Sequence, residues 1–315
     1  MKRRLLIACT ALAVAVAAVL GAASDARTSS KGETTTLGVI GDVPYIQSQF
    51  DAFPAWVADI NADPDVETAV HLGDIKSGST LCSDAYYDAI AGFFALFSDP
   101  LVYTPGDNEW TDCHRTNNGG YNPLERLAKV REVFFPRPNT TLGKKTHVRS
   151  QAGYPENVQW KEAKTVFGAV HVVGSNNSLA PWTGETAPTP EQLAEATARI
   201  DATIAWIDDV FDKAEKTKAR GVVVMMQADT FVGDNESASG FASILDRLGQ
   251  RAAAFEHPVL LLQGDTHAFL TDAPFPGAPN LTRVVVQGAE TANEWLKIRV
   301  DPSSPEVFSW QRIGF

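Results

Sequence analysis

Cysteine is scarce in this 315-residue sequence, which contains three. Cys9 lies in an N-terminal apolar segment, so Cys82 and Cys113 are the two in the rest of the chain. Two cysteines in an oxidising compartment usually pair. If the protein is exported, we therefore predict a disulfide between Cys82 and Cys113, with two buried free thiols as the alternative.

Basic residues are fewer than acidic ones, and the formal net charge is −11. A surface this acidic repels nucleic acid and anionic lipid, so we expect neither as a partner. A substrate that carries phosphate would need local positive charge in order to bind. A bound metal ion is one source of that charge.

Long apolar runs are absent after residue 20, so no later segment is predicted to cross a membrane. At the N-terminus, basic residues at 2–4 precede the apolar run 5–20, and small residues follow. This order is typical of a secretory signal peptide cleaved after about Ala23 or Ala26, with a retained N-terminal anchor as the alternative. We therefore expect a signal peptide at 1–26 and a periplasmic or secreted protein that has no membrane association after cleavage.

The remainder of the chain, 27–315, alternates short β-branched runs with helical stretches, which predicts an α/β fold. It shows no internal repeat and no linker, so we expect a single domain at 27–315. We also expect a monomer. Segments 135–160 and 174–190 are rich in Pro, Gly, Asn and Thr and are predicted to be long surface loops. Predicted strands cover 36–40, 66–72, 101–104, 166–173, 221–226 and 259–262, and predicted helices cover 47–61, 84–97 and 241–255.

A further helix is predicted to begin at Thr189, a capping residue followed by Pro190 at the first helical position. Apolar residues behind it recur at a spacing of three and four, which indicates one buried face. The residues of that face are Leu193, Ile200, Ile204, Ile207 and Phe211.

Five short motifs each follow a predicted strand. In open α/β sheets, ligands gather at the carboxyl ends of the strands, so these motifs should converge on one crevice. Their carboxylates would repel one another there unless a cation lay between them. The motifs are Gly41-Asp42-Val43-Pro44-Tyr45, His71-Leu72-Gly73-Asp74-Ile75-Lys76, Pro105-Gly106-Asp107-Asn108-Glu109, Met226-Gln227-Ala228-Asp229 and Gln263-Gly264-Asp265-Thr266-His267.

This series resembles the calcineurin-like metallophosphoesterases, whose motifs are D-x-H, G-D-x-x, G-N-H-D/E, H and G-H-x-H. The resemblance extends over about residues 36–270. It implies a four-layer αββα sandwich of mixed sheets, with two divalent metal ions bridged by one aspartate. The metal ligands implied at the matching positions are Asp42, Asp74, Asp107, Gln227, Asp265 and His267.

The sequence departs from the family pattern at four histidines. Pro44 stands at the first motif's histidine and cannot bind a metal, while Gln227 replaces the lone histidine of the fourth motif. In the third motif, Asn108 stands where the family has the histidine that assists the leaving group. In the fifth motif, Asp265 replaces the first of two histidines.

These replacements change the metals that the resemblance implies. The first ion would keep Asp42, Asp74 and His267, with Tyr45 as a possible substitute ligand, and Zn or Fe is possible there. The second ion would be bound by Asp74, Asp107, Gln227 and Asp265. Because oxygen-only sites suit harder cations, Mg²⁺, Mn²⁺ or Ca²⁺ is favoured at the second site.

Polar residues around these ligands are candidates for binding substrate. Lys76 and Arg115 could bind phosphate, and charge balance for nearby carboxylates is their alternative role. Asn108 would donate a hydrogen bond to the phosphate, and His114 is the candidate for a substitute general acid. Glu109 could orient a ligand.

Other conspicuous residues are expected to be structural. His71 and His171 fall within predicted strands and should be packed in the core. Trp110 and Trp182 could wall the crevice, although core packing is the simpler interpretation for both.

These features predict an exported phosphoesterase that uses a metal-bound hydroxide to hydrolyse a phosphorylated small molecule or ester. The alternative is a catalytically degenerate metal- or ligand-binding module on the same fold, which the missing histidines favour. The Cys82–Cys113 disulfide would join the loops after the second and third motifs and place His114 and Arg115 beside the metals.

Overall fold

A computed structural model describes residues 33–231 and 239–315 of the protein. The predicted signal peptide at 1–26 lies outside the described residues. No helix within the described part of the chain is both long and apolar enough to cross a membrane.

The first of two mixed sheets has six strands in the order β13-β12-β1-β2-β3-β4. Strands β1, β2 and β3 run parallel, and β12 pairs antiparallel with β1. The strand bounds are β1 Thr35–Ile40, β2 Thr68–His71, β3 Pro100–Tyr103, β4 Leu142–Gly143, β12 Glu294–Val300 and β13 Phe308–Gly314.

The second sheet has seven strands in the order β10-β11-β9-β8-β7-β6-β5. Strands β7, β8, β9 and β11 are parallel, and the others pair antiparallel. The strand bounds are β5 Arg149–Gln151, β6 Tyr154–Glu162, β7 Thr165–Ala169, β8 Gly221–Met225, β9 Val259–Gln263, β10 Leu270–Asp272 and β11 Leu281–Val285.

The two sheets pack face to face, and helices cover both outer faces. Buried residues such as Val70 and Leu260 form the core between the sheets. Phe94 belongs to the cluster under the helices of the first sheet, and Ile207 to the cluster under those of the second. This arrangement confirms the predicted four-layer αββα sandwich. The helices are α1 Gln47–Ala62, α2 Asp84–Phe94, α3 Pro123–Phe134, α4 Gly174–Ser178, α5 Pro190–Lys216 and α6 Ser239–Phe255.

Parallel strands place the motif residues at one edge of the sandwich. Asp42, Asp74 and Asp107 follow the carboxyl ends of β1, β2 and β3, which are neighbours in the first sheet. Gln227 and Asp265 follow β8 and β9, which are neighbours in the second sheet. The sequence therefore brings five separate chain segments to a common edge.

The prediction of a loop at 135–160 is wrong, because β4, β5 and most of β6 lie there. Strand β6 carries Glu156, Asn157 and Gln159, all of them buried, so its sequence is more polar than that of a typical buried strand. Glu156 is compensated by Arg131 and by His171, whose Nδ1 lies 2.9 Å from Oε1 of Glu156. Tertiary partners thus allow a polar segment to form a buried strand.

Helix α5 begins as predicted, with a capping box between Thr189 and Gln192 and with Pro190 in the first turn. Its predicted buried face is partly wrong, because Leu193 is 45% exposed. The buried face is shifted toward Ala196 and Arg199. Arg199 can be buried because its guanidinium pairs with Glu195.

Candidate metal centre

Two carboxylates and an imidazole lie together at the carboxyl edge of the parallel strands. Asp42, Asp74 and His267 each offer one ligand atom, and these atoms lie within 4.8 Å of one another. Both aspartates are buried, whereas His267 is partly exposed. All three have positive φ angles, of 53°, 54° and 63°. Such angles are uncommon outside glycine and are often found at functional sites.

Glycines from neighbouring motifs make room for the two carboxylates. A Cβ atom added to Gly106 would lie 2.1 Å from Oδ1 of Asp74, and one added to Gly264 would lie 2.5 Å from Oδ2 of Asp42. Neither distance is sterically possible. The glycine of one motif is therefore required because it lies against the aspartate of another.

The hydroxyl of Tyr45 links the parts of this site. It donates to Oδ2 of Asp74 at 2.7 Å and accepts from Nδ2 of Asn108 at 2.8 Å. Asn108 also donates from Nδ2 to the same Asp74 oxygen at 2.7 Å. Nε2 of His267 lies 3.2 Å from the Tyr45 hydroxyl. Residues of the first, second, third and fifth motifs thus share one hydrogen-bond network.

The electrostatics of the two aspartates favour a cation. Burial raises the pKa of Asp42 well above its usual value, and the charge of Asp265 raises it further. Burial likewise raises the pKa of Asp74, with Asp107 as the next contributor. A divalent cation would compensate these desolvated charges, and two carboxylates with an imidazole form a suitable donor set. The residues present therefore fit one metal ion.

The residues predicted to bind a second metal ion do not form a comparable group. Among residues 33–231 and 239–315, Asp42, Asp74 and His267 form the one three-residue group of Asp, Glu, His or Cys compact enough for a metal ion. Asp107 instead accepts a hydrogen bond from the Ser175 hydroxyl at 3.0 Å. A second metal ion stays a prediction.

Gln227 and Asp265 are held by backbone amides. Oε1 of Gln227 accepts from the Gly174 N–H at 2.8 Å, while its buried Nε2 has no hydrogen-bond partner in the structure. Oδ2 of Asp265 accepts from the Asp229 N–H at 3.1 Å. For Gln227 to bind a metal through Oε1, its bond to Gly174 would have to be shared or broken.

One comparison, with a family model, shows the family to which the chain belongs. The family model for calcineurin-like phosphoesterase matches residues 35–269. The chain belongs to this family. It is also similar to a solved structure described as GAP50, the anchor in the inner membrane complex of Plasmodium, with 9% identity and a TM-score of 0.47. That comparison covers 90% of this chain and 89% of the other. No match was found among curated proteins.

In this member of the calcineurin-like phosphoesterase family, Glu109 bonds to the loops that carry Asp74 and Gly106. Its buried Oε1 accepts from the N–H of Gly106 at 2.6 Å and from the N–H of Asp74 at 3.2 Å. The Tyr103 hydroxyl donates to the same oxygen at 2.7 Å. The position agrees with the interpretation that Glu109 orients a ligand.

The sequence interpretation missed the hydrogen bonds that α4 contributes to the site. This short helix follows β7 of the second sheet, at the same edge of the sandwich. Ser175, Asn176 and Asn177 have φ angles of 53° to 55°, so this short turn is left-handed. The Ser175 hydroxyl lies 3.0 Å from Asp107 and 2.7 Å from Asp112. The available signal was a Gly-Ser-Asn-Asn run directly after an apolar stretch, which we interpreted as a surface loop.

Lys76 and Arg115 occupy different environments. Lys76 is fully buried, and its Nζ donates to the Ser77 carbonyl at 2.9 Å. Burial lowers the pKa of Lys76 to about 8, although nearby carboxylates oppose this shift. Arg115 is partly exposed, pairs with Asp112 at 2.7 Å and lies 3.5 Å from the Ser175 hydroxyl. Arg115 is thus better placed for a substrate, and the surroundings of Lys76 favour charge balance.

His114 lies at the end of the 3₁₀ helix Thr111–His114. Its Nδ1 accepts the Thr183 N–H at 2.8 Å, which leaves Nε2 as the donor of the neutral ring. Its ring stacks on Trp182, with 6.4 Å between the ring centroids. Cys113, the residue before it, is linked to Cys82 in a disulfide.

His71, His171 and Trp110 lie in the core, as expected. Nε2 of His71 lies 2.8 Å from the Val43 carbonyl, and Nδ1 accepts the Gly73 N–H at 3.2 Å. His171 and Trp110 are both fully buried and contact each other edge to face.

Proposed function

We propose that this protein is an exported, metal-dependent phosphoesterase that acts on a phosphorylated small molecule or ester. The observation that carries the proposal is the compact group of Asp42, Asp74 and His267 in a member of the calcineurin-like phosphoesterase family. Export rests on the signal-peptide pattern at 1–26, and the disulfide is compatible with an oxidising compartment.

A divalent cation, when bound by these three side chains, supplies Lewis acidity toward the phosphate oxygens and lowers the pKa of water. The chain's own residues supply position and charge. Asp42 and Asp74 bind the cation, and Tyr45 and Asn108 fix the orientation of the Asp74 carboxylate through their hydrogen bonds to Oδ2.

Asn108 is the candidate donor to a phosphate oxygen, and to act in this way its Nδ2 would give up its hydrogen bond to Tyr45 or to Asp74. Arg115, beside Ser175, adds positive charge near Asp107. In the reaction, the oxygen of water forms a bond to phosphorus and one of its protons is released, while the phosphorus–oxygen bond to the alcohol breaks. The alcohol leaves with a proton, for which the protonated ring of His114 is the candidate donor. In that form Nδ1 carries a proton and would exchange the Thr183 N–H for the Thr183 hydroxyl, which lies 2.8 Å away.

The second candidate is a metal- or ligand-binding module without turnover. The observation in its favour is that Asn108 and Gln227, which stand at histidine positions of the family pattern, hold hydrogen bonds within the protein. The bonds from Asn108 and Tyr45 satisfy Asp74 in part without a cation. A site stabilised in this way can persist after catalysis is lost.

The two candidates are separated by measuring binding and turnover on the same preparation. Mn²⁺, Mg²⁺ and Ca²⁺ binding is followed by calorimetry, and hydrolysis is assayed with 4-nitrophenyl phosphate and bis(4-nitrophenyl) phosphate. Cation-dependent hydrolysis that disappears in Asp74→Asn supports the phosphoesterase. Cation binding without hydrolysis of either ester supports the binding module, and absence of both contradicts the two candidates. Export is tested by cell fractionation and by sequencing the N-terminus of the mature protein.

A further inference from the structure

A cavity of about 190 Å³ lies next to the candidate metal centre. It is formed by the segment that leads into α1, the start of α1, the loop before α2 and the first turn of α2. Among the residues that the structure describes, no charged side chain lines it, in a protein whose net charge is −11. The lining residues are Pro44, Tyr45, Ile46, Gln47, Phe50, Thr80 and Tyr86.

The cavity and the metal centre share Tyr45. Its hydroxyl bonds to Asp74, whereas the same residue lines the cavity. Tyr86, which also lines the cavity, donates from its hydroxyl to the carbonyl of Ile75, the residue after Asp74. The cavity is therefore connected to the metal-binding loops through two aromatic residues.

The volume and the lining residues of the cavity suit a single aromatic ring. Phe50 and Tyr86 lie with ring centroids 5.5 Å apart and at an angle of 41°. Tyr45 adds a third aromatic side chain to the lining. An apolar cavity of about 150 Å³ is large enough to bind benzene. A ring in this cavity would make the offset or edge contacts that aromatic pairs prefer.

Exposed apolar side chains lie beside the cavity. Within the described residues, four large apolar side chains are exposed, and two of them, Ile46 and Leu81, belong to the same two segments as the cavity. Ile46 is part of the lining, and Leu81 directly follows Thr80. Apolar surface concentrated at a cleft with a few polar groups is typical of ligand sites.

We propose that this cavity is a subsite for the leaving group and that the substrate is a phosphoester of an aromatic alcohol. The inference rests on the proposed function. The phosphate would lie at the Asp42–Asp74–His267 group, and the ring would enter the uncharged cavity beyond Tyr45. The absence of charge in the lining disfavours a second phosphate or a charged alcohol there.

The test compares two esters in a variant whose cavity is filled. Thr80→Trp should lower kcat/KM for phenyl phosphate by about tenfold or more relative to the wild type, because the ring loses its site. It should change kcat/KM for ethyl phosphate by less than about threefold. Leu193→Trp places the same bulk on exposed α5, far from this loop, and should leave both values near those of the wild type. Equal losses for the two esters in Thr80→Trp would overturn the proposal.

Direct binding of phenol makes the test independent of turnover. Phenol should shift the ring NMR resonances of Phe50 and Tyr86 in the wild-type protein and in Leu193→Trp, and should bind at least tenfold more weakly to Thr80→Trp. If phenol binds in this way but neither ester is hydrolysed, the subsite stands and the proposed phosphoesterase fails. If phenol shifts neither ring in the wild-type protein, the subsite fails whatever the activity. The wild-type measurement remains decisive even if Thr80→Trp does not fold.

Discussion

The hydroxyl of Tyr45 donates a hydrogen bond to Oδ2 of Asp74, with 2.7 Å between the two oxygens. Burial raises the pKa of Tyr45 well above its usual value, and the charge of Asp74 raises it further, so the phenol keeps its proton at neutral pH. The bond therefore joins the first and second motifs through a neutral donor. It also means that the position of Asp74 depends on a residue outside the family's usual ligand set.

Removal of that hydroxyl should destabilise the protein. In Tyr45→Phe, Asp74 and Asn108 lose a buried partner, and we expect the free energy of unfolding to fall by about 1–3 kcal/mol. Urea unfolding followed by circular dichroism measures the change. Tyr154→Phe, on β6, is the control. Equal stability of Tyr45→Phe and the wild type would show that the bond contributes nothing net.

Asp74 should be indispensable for cation binding. Asp74→Asn removes the charge but preserves the size of the side chain, and we expect Mn²⁺ binding to fall below detection in calorimetry. Exposed Asp201→Asn is the control and should bind as the wild type does.

We also expect at most one tightly bound ion per chain, because the other carboxylates of the edge do not join the compact group. Two zinc or iron ions retained through dialysis would contradict this expectation.

His71 should make stability depend on pH. Burial lowers the pKa of His71 to about 4 from its usual 6.5, while its bond to Val43 opposes this shift. The unfolded chain therefore binds a proton that the folded chain does not bind. The stabilisation is complete above about pH 6.5 and is lost as the pH falls toward 4, by roughly 3 kcal/mol in total.

The pH dependence is measured by urea unfolding at several pH values between 7 and 4. His71→Gln should be less stable than the wild type at pH 7 and should lose less stability on acidification. Exposed His147→Gln is the control and should retain the wild-type dependence. A wild-type slope that persists unchanged in His71→Gln would assign the effect to other groups.

The disulfide should stabilise the fold mainly through the unfolded state. Cys82 and Cys113 are 31 residues apart, and closing a loop of this length contributes about 3–4 kcal/mol by chain entropy. The Cys82→Ser/Cys113→Ser double variant should unfold at correspondingly lower urea concentration. The unmodified protein should show no free thiol when denatured without reductant. Two titratable thiols in protein purified without reductant would contradict the prediction.

The sequence predicted the parts of the molecule that depend on local pattern. Buried β-branched strands followed by Gly-Asp pairs gave the fold class and the edge at which Asp42 and Asp74 lie. Local pattern failed where distant partners decide the outcome. Polar β6 is a strand because Arg131 and His171 compensate Glu156. Arg199 lies on the buried face of α5 because its guanidinium donates to the carbonyls of His171 and Asn177.

The candidate site was predictable to a similar extent. The motif order indicated which aspartates would converge, since parallel strands share an edge. It did not indicate that Ser175 would reach Asp107. That contact requires the left-handed turn of α4, which follows β7 of the second sheet, whereas Asp107 follows β3 of the first sheet. The roles predicted for the individual site residues stay predictions.

The pairing of β1 with β12 has a consequence for how the protein folds. Leu37 lies opposite Ile298, so the strand that leads to Asp42 is flanked by a strand more than 250 positions later in the sequence. Contacts of such long range slow folding, because the chain must close a very large loop before they form. The first sheet cannot be completed until nearly the whole polypeptide is available. Assembly of the metal-binding edge should therefore be a late event, and a nascent chain ending at residue 280 should lack it.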